Sequence, residues 1–165
     1  MALDKIDIEI LKILQKDAKI AANEISKIIS IPVNTIYSRI KKMEESGIIK
    51  GYKPILDPKK LGITSTAFVF ATSDLREIDL INNPDYSMGT ELSKFPEVQE
   101  VFIVSGEYDY IIKLREMSTE AAGEFVINKL SRVTGITNTR TCMVFRNVKE
   151  TMDLPLDKIN VSDEA

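Results

Sequence analysis

Apolar positions recur every three or four residues along the first third of the chain, and every second residue through much of the remainder. In "LDKIDIEILKILQKDA" (3–18), Leu3, Ile6, Ile10, Ile13 and Leu14 fall at helical spacing, with Asp4 placed to cap the first turn. "AANEISKIIS" (21–30) repeats the pattern on a shorter helix through Ala22, Ile25, Ile28 and Ile29. "SIP" (30–32) then supplies a turn, and Pro32 suits the first turn of a third helix, where no backbone donor is needed. That helix runs over 33–45, and Gly47 offers a left-handed stop. Three short helices with tight turns predict a helix-turn-helix from the second and third.

After Gly47 the texture changes. "IIKGYKPILDPKKLG" (48–62), with Pro54, Pro58 and paired β-formers, predicts a short hairpin or a connecting strand. "TSTAFVFATS" (64–73) alternates as a strand, with Phe68 and Phe70 on one face and Ala67, Val69 and Ala71 on the other. "DYSMGTELSKF" (85–95) returns to helical spacing through Met88, Leu92 and Phe95. "EVQEVFIVS" and "YDYIIKLRE" flank Gly106–Glu107 as a hairpin, and "STEAAGEFVINKLSRV" opens with a Ser118 or Thr119 cap and buries Phe125, Val126 and Leu130. "GITNTRTCMVFRNV" closes the series as a strand after Gly135. The order is βαββαβ, a ferredoxin-like arrangement. Its strands are apolar on both faces, yet two helices cover only one, so a second copy is expected on the other.

The fold class is therefore α+β. A winged helix-turn-helix domain (1–50) leads through a strand linker (51–62) to a ferredoxin-like domain (63–150). An acidic tail (151–165) comes last, expected to be loosely ordered or packed on a partner.

Charge adds a distinction between the two parts. The formal net charge of -3 divides into 12 Lys and Arg against 8 Asp and Glu over residues 1–60, and 10 against 17 over the remainder. A basic first module beside an acidic second one suggests different partners, the first a polyanion. The chain has no histidine and a single cysteine, Cys142. That removes His-based catalytic triads, HExxH metal sites and Cys-rich zinc sites, and no catalytic residue, metal or cofactor is expected. No apolar run is long enough to span a bilayer and no signal peptide pattern opens the chain, so a cytoplasmic protein without a membrane partner is expected.

Two stretches carry candidate chemistry. On helix 33–45, Ile36, Ile40 and Met43 cluster on one face. The other collects Asn34, Thr35, Tyr37, Ser38, Lys41 and Lys42, with Arg39 on the flank. These side chains suit double-stranded DNA, since Lys and Arg neutralise phosphates or donate to guanine while the rest bond base edges or backbone oxygens. Glu44 and Glu45 lie at the far end, and Lys50 and Lys53 add charge beside it. The second stretch is "SGEYDY" (105–110). Gly106 accepts a positive φ, turn amides can form a small anion nest, and Asp109 offers a carboxylate to an ammonium group. The pair would suit a zwitterionic amino acid. The same turn is also readable as an ordinary hairpin, with Asp109 bonding its own turn amides.

The chain resembles the leucine-responsive/asparagine-responsive (Lrp/AsnC, feast/famine) regulators over nearly its whole length. The stretches that carry the likeness are "LDKIDIEILKILQKDAK", "IYSRIKKMEESGIIKGYKPILDPKKLG", "FPEVQEVFIVSGEYDYIIKL" and "LSRVTGITNTRTCMVF" with "VKE" after it. The resemblance implies an N-terminal DNA-binding domain and a C-terminal domain that oligomerises and senses small molecules. It implies a recognition helix at 33–45 and an effector loop at Gly106, Glu107, Tyr108 and Asp109, with Thr139 and Thr141 nearby. It also implies a homodimer that assembles further, to a tetramer or octamer, with amino acids bound between dimers. Two departures stand out: Pro32 replaces the Ser usual at the start of the recognition helix, and the connection 75–89 is long and polar. The competing readings are an architectural DNA-binding protein with low sequence preference and a regulatory subunit of amino-acid metabolism.

Overall fold

The computed structural model describes residues 3–74 and 88–159. The polar connection singled out at 75–89 lies outside the described residues except for its last two. The chain divides into two compact units: residues 1–55 with 150–165, and residues 56–149.

In the first unit, α1 (Lys5–Lys16), α2 (Ala22–Ile29) and α3 (Val33–Glu45) pack around Ile10, Ala22, Ile25, Ile36 and Met43. The periodic residues of the sequence are the ones that meet, except Ile28, which lies 60% exposed outside this core. Asp4 caps α1 in a reciprocal box: the Asp7 N–H donates to Asp4 Oδ1 at 2.9 Å and the Asp4 N–H to Asp7 Oδ2 at 3.1 Å. Helix α2 ends on Ser30 in a left-handed conformation, φ 57°, rare for a residue with a Cβ. That bend packs the turn between α2 and α3 into three residues. Pro32 sits just before α3, which starts with no side-chain cap. At its other end Gly47 takes φ 73°, and the Gly47 and Ile49 amides close the last carbonyls of Glu44 and Met43.

Residues 50–57 form no strand, and a 3-10 turn comes next at Lys59–Leu61. The Tyr52 hydroxyl and Glu44 Oε1 are 2.8 Å apart, which holds this extended segment against the end of α3.

The tail belongs with the first unit. Around a 3-10 turn at Leu156–Lys158, Leu156 is buried. The Gln15 side-chain amide bonds the Leu154 backbone in both directions, at 2.8 and 3.3 Å, and Lys12 pairs with Asp157 at 2.7 Å. Ile8, Lys12 and Gln15 form one stripe of α1, opposite the stripe that enters the three-helix core. Helix α1 thus has two occupied faces.

In the second unit, β1 (Ser65–Ser73), α4 (Met88–Ser93), β2 (Val98–Ile103), β3 (Tyr110–Glu116), α5 (Thr119–Asn128) and β4 (Ile136–Met143) come in the expected order. The four strands are antiparallel in the order β2-β3-β1-β4, the ferredoxin-like topology. Ala67, Val69 and Ala71 of β1 meet Leu92, Phe125 and Leu130 in one core, and all but Phe125 are wholly buried. Ser118 caps α5 through the Ala121 N–H. The hairpin is wider than a Gly-Glu turn: the strands stop at Ile103 and Tyr110, leaving 104–109 between them.

Register assigns the other face of the sheet. Phe68 stands opposite both Lys113 and Cys142, Phe70 opposite both Ile111 and Arg140, and Ile111 opposite Phe102. No described element covers this face, and Phe102 is 47% exposed. Chain segments around both crossings between the units are bare as well: Tyr52, Ile55 and Leu56 on one, Phe145, Val148 and Met152 on the other.

Candidate nucleic-acid interface and effector turn

The inner face of α3 is fixed by Ile36 and Met43, both wholly buried, and this sets the rotation of its outer face. Asn34, Tyr37, Ser38, Lys41 and Lys42 are exposed, and Thr35 is half-buried among them. Lys41 lies 3.7 Å from Glu45 one turn on, both well exposed, a pair that solvent weakens. Six of the seven residues expected on this face therefore share one surface.

Arg39 is different. Its Nη1 donates to Asp4 Oδ2 at 2.5 Å and to Asp7 Oδ1 at 2.8 Å, the cap and the first turn of α1. Each carboxylate uses one oxygen for the capping box and the other for the guanidinium. Asp7 is 2% exposed, and the Arg39 side chain 24%. Burial works to raise the Asp4 carboxyl, and the Asp7 amide and Arg39 outweigh it, so its pKa falls below the ordinary value. Arg39 is disfavoured by burial yet held more firmly charged by Asp7 and Asp4. Asp4, Asp7, Asn34, Thr35, Ser38, Arg39 and Lys42 line an open cleft of about 500 Å³.

In the second unit the turn 104–109 is built onto the end of β1. The Asp109 N–H donates to the Ala71 carbonyl at 3.0 Å, and the Val104 N–H to the Asp109 carbonyl at 2.9 Å. Asp109 Oδ2 accepts from the Ser73 N–H at 2.7 Å and from its hydroxyl at 3.1 Å. The carboxylate therefore bonds a neighbouring strand, a role that neither reading of the sequence included. Gly106 takes φ 131°, a conformation that only glycine adopts readily, and nothing stands within 4 Å of where its Cβ would be. Glu107 is exposed. Tyr108 lies against Phe70, ring centroids 5.3 Å apart, and its phenol group helps hold the Arg140 guanidinium charged, raising the Arg140 pKa.

Thr139 stands opposite Ala71 and Thr141 opposite Val69, on the far side of β1 from the turn. Thr139 thus flanks the strand end that holds Asp109, and Thr141 lies further along. The sequence pattern places Phe70 only on one face of β1 and does not single out Ser73, yet these two hold the turn through Tyr108 and Asp109. Tyr110, next to Asp109, is 1% exposed with no partner for its hydroxyl among the described residues. Burial, and then the Asp109 charge, push its pKa up.

A three-helix unit with an exposed polar face, joined to an antiparallel sheet unit with an anchored turn, defines a two-module protein with the features of a helix-turn-helix followed by a ferredoxin-like domain. The chain matches a winged helix-turn-helix DNA-binding model over residues 3–50 and the Lrp/AsnC ligand binding domain model over residues 78–154. It is 37% identical to the HTH-type transcriptional regulator FL11 of Pyrococcus horikoshii, over 93% of this chain and 97% of that protein. It is 33% identical to the leucine-responsive regulatory protein of Escherichia coli, over 90% and 88% of the two. Among solved structures, a transcriptional regulator–L-Met complex from Neisseria meningitidis superposes with a TM-score of 0.85 at 28% identity, covering 94% of this chain and 97% of that one. AsnC of E. coli does so with a TM-score of 0.80 at 28% identity, covering 93% and 99%. The chain belongs to the Lrp/AsnC family of transcriptional regulators, and its relatives are regulators, not enzymes.

Proposed function

We propose that this regulator reads double-stranded DNA with the outer face of α3 and changes its activity or assembly when an amino acid binds near the turn Gly106–Asp109. The exposed face of Asn34, Tyr37, Ser38, Lys41 and Lys42, opposite a fully buried inner face, carries the DNA part of the reading. Lys41 and Lys42 supply phosphate contacts, and Asn34, Thr35 and Ser38 supply hydrogen bonds to base edges.

The effector part rests on the turn. Asp109 holds the turn through Ser73, which leaves turn amides, Glu107 and Thr139 to meet a small zwitterion. A solved relative is a complex with L-Met, and another relative is named leucine-responsive, which supports an amino acid as the class. The working form is a homodimer that assembles further. Support comes from the uncovered sheet face of Phe68, Phe70, Ile111 and Phe102, and from the bare side chains of Ile55, Phe145 and Met152. No described helix is long and apolar enough to cross a membrane, in keeping with a cytoplasmic regulator.

A thermal-shift panel of the twenty amino acids, paired with DNA binding across a salt series, tests this. One amino acid at about 100 times its dissociation constant should add about 2.7 kcal/mol. Lys42→Ala should flatten the slope of log affinity against log salt by about 1. An unshifted panel removes the effector reading. A Lys42→Ala slope equal to wild type removes the DNA face.

A further inference from the structure

Arg39 stands beside Asn34, Ser38 and Lys42 on the same cleft, and by residue type it is the strongest DNA ligand of the set. Its geometry points elsewhere. One guanidinium nitrogen bridges Asp4 and Asp7, at 2.5 and 2.8 Å, and one of those carboxylates is almost wholly buried. A guanidinium held by two carboxylates carries no spare positive charge to a phosphate, and leaving them would strand a buried anion at the start of α1.

We propose that Arg39 is a positioning residue for sequence reading, acting through Asp4 and Asp7 rather than by touching DNA; this rests on α3 being the reading helix. The clamp does two things. It fixes the rotation of α3 against the capped start of α1, so Ser38, the residue before it, and Asn34, five residues before it, present to base edges at one angle. It also offsets one of the two negative charges that Asp4 and Asp7 place on the cleft, where two bare anions would repel phosphates more strongly. Base-edge hydrogen bonds depend on angle far more steeply than phosphate attraction does. The clamp should therefore set discrimination between sequences more than overall affinity.

The experiment uses the full chain, a duplex that wild type selects from a random pool, and a scrambled duplex of the same composition. Arg39→Ala, Asp7→Asn, the double variant and Lys42→Ala are compared over a salt series. The double variant keeps the net charge of the pair, so it separates geometry from long-range electrostatics. It should lose about tenfold in preference for the selected duplex, the scale of one base-edge contact, with the wild-type salt slope. Each single variant should lose preference too, and the double should be no worse than the poorer single, as for residues acting as one unit. Lys42→Ala should instead weaken both duplexes alike and flatten the slope by about 1.

If Arg39→Ala flattens the slope as Lys42→Ala does while Asp7→Asn leaves preference intact, Arg39 is a direct phosphate ligand and the proposal is overturned. If stability falls but the ratio between duplexes stays at the wild-type value in every variant, the clamp is structural only, which also overturns it. Should Arg39→Ala not fold, Arg39→Gln replaces it, since a neutral amide keeps part of the side chain's bulk and a donor but cannot hold two carboxylates by charge. The same loss of preference is expected there, with an unchanged slope. A wild type that selects no sequence, or a Lys42→Ala slope equal to wild type, shows that α3 does not read DNA and overturns the inference along with that reading.

Discussion

The two candidate surfaces differ in how much of each a single chain can build. The face of α3 is finished: its inner side is buried, its rotation is clamped by Arg39, and its outer side is polar and exposed. The sheet of the second unit is half-finished. One face is closed by α4 and α5, while the other leaves Phe68, Phe70, Ile111 and Phe102 without a cover. Fixed ion pairs suit a surface that must keep its shape to read a rigid duplex. Apolar side chains without a cover suit a surface completed by a second chain, where burial supplies the driving force.

The largest effect expected is on that second surface. Phe70→Glu places a charge where a second copy should bury the ring, while Ala67, Val69 and Ala71 keep the internal core. Light scattering at micromolar concentration should show a change from dimer or larger species to monomer. A wild type that is already monomeric would break the comparison at its weaker side.

The next tests the finished side. Leu156→Ala empties the apolar site that the tail fills on the second stripe of α1, at the edge of the unit where neighbours can partly collapse. It should lower the stability of the first unit by about 2 kcal/mol, near the low end for buried Leu→Ala changes. Hydrogen exchange of the α1 amides would register it, and unchanged protection would mean the tail adds nothing to α1.

A loss of comparable size is expected at the turn. Asp109→Ala leaves the Ser73 amide and hydroxyl without their acceptor, which should cost about 1–3 kcal/mol of second-unit stability. Ligand affinity should fall in step with that loss. Asp109→Asn keeps an acceptor oxygen for Ser73 and should recover most of both. If Asp109→Asn restores stability and leaves ligand affinity as low as in Asp109→Ala, the carboxylate charge meets the ligand directly.

How far the sequence disclosed the structure depends on the range of the forces involved. Helical and alternating periodicity marked both cores, because burial acts on every third, fourth or second residue within one element. The caps at Asp4 and Ser118 were legible for the same reason: their partners lie three residues away. Arg39 was legible only as a polar residue on the flank of α3. Its partners lie 32 and 35 residues off, and both already had a local role in the capping box, so nothing in their spacing announced a second one. Asp109 could be read as a ligand contact or as a self-bonded turn residue. Its actual partner, Ser73, comes beside it only through the antiparallel pairing of β1 with β3. The docked tail escaped because a three-residue turn has no period to detect, and Ile8 reads as one apolar residue out of phase on α1.

The smallest effect expected is a pH dependence that separates the clamp from the tail. The Asp4 carboxyl titrates below its ordinary value of 3.8: burial would raise it, and the Asp7 amide and Arg39 outweigh that. A carboxyl depressed in the folded state adds stability that is fully present above its unfolded pKa and is lost as pH falls through the folded one. Asp4 should therefore contribute constant stability from neutral pH down to about 5, then lose it below about 4. Asp157 titrates in the same direction because Lys12 lies 2.7 Å away, so it adds to the same acid limb. Salt distinguishes them. Asp157 is 86% exposed and its pairing should fade as ionic strength rises, whereas the Asp4 side chain is 18% exposed and screened far less. Melting curves from pH 3 to pH 7, at low and at about 0.5 M salt, should show an acid limb that shrinks in salt for wild type and keeps a residue. In Asp4→Asn, where Asn still caps the helix but cannot pair with Arg39 as an anion, that salt-resistant part should shrink. What is left is the share of Glu97, which is 17% exposed and whose carboxyl Lys129 holds below its ordinary value against burial. An acid limb removed entirely by salt in wild type would place the sensitivity in the tail, and would mean that the Arg39 clamp does not depend on the charge of Asp4.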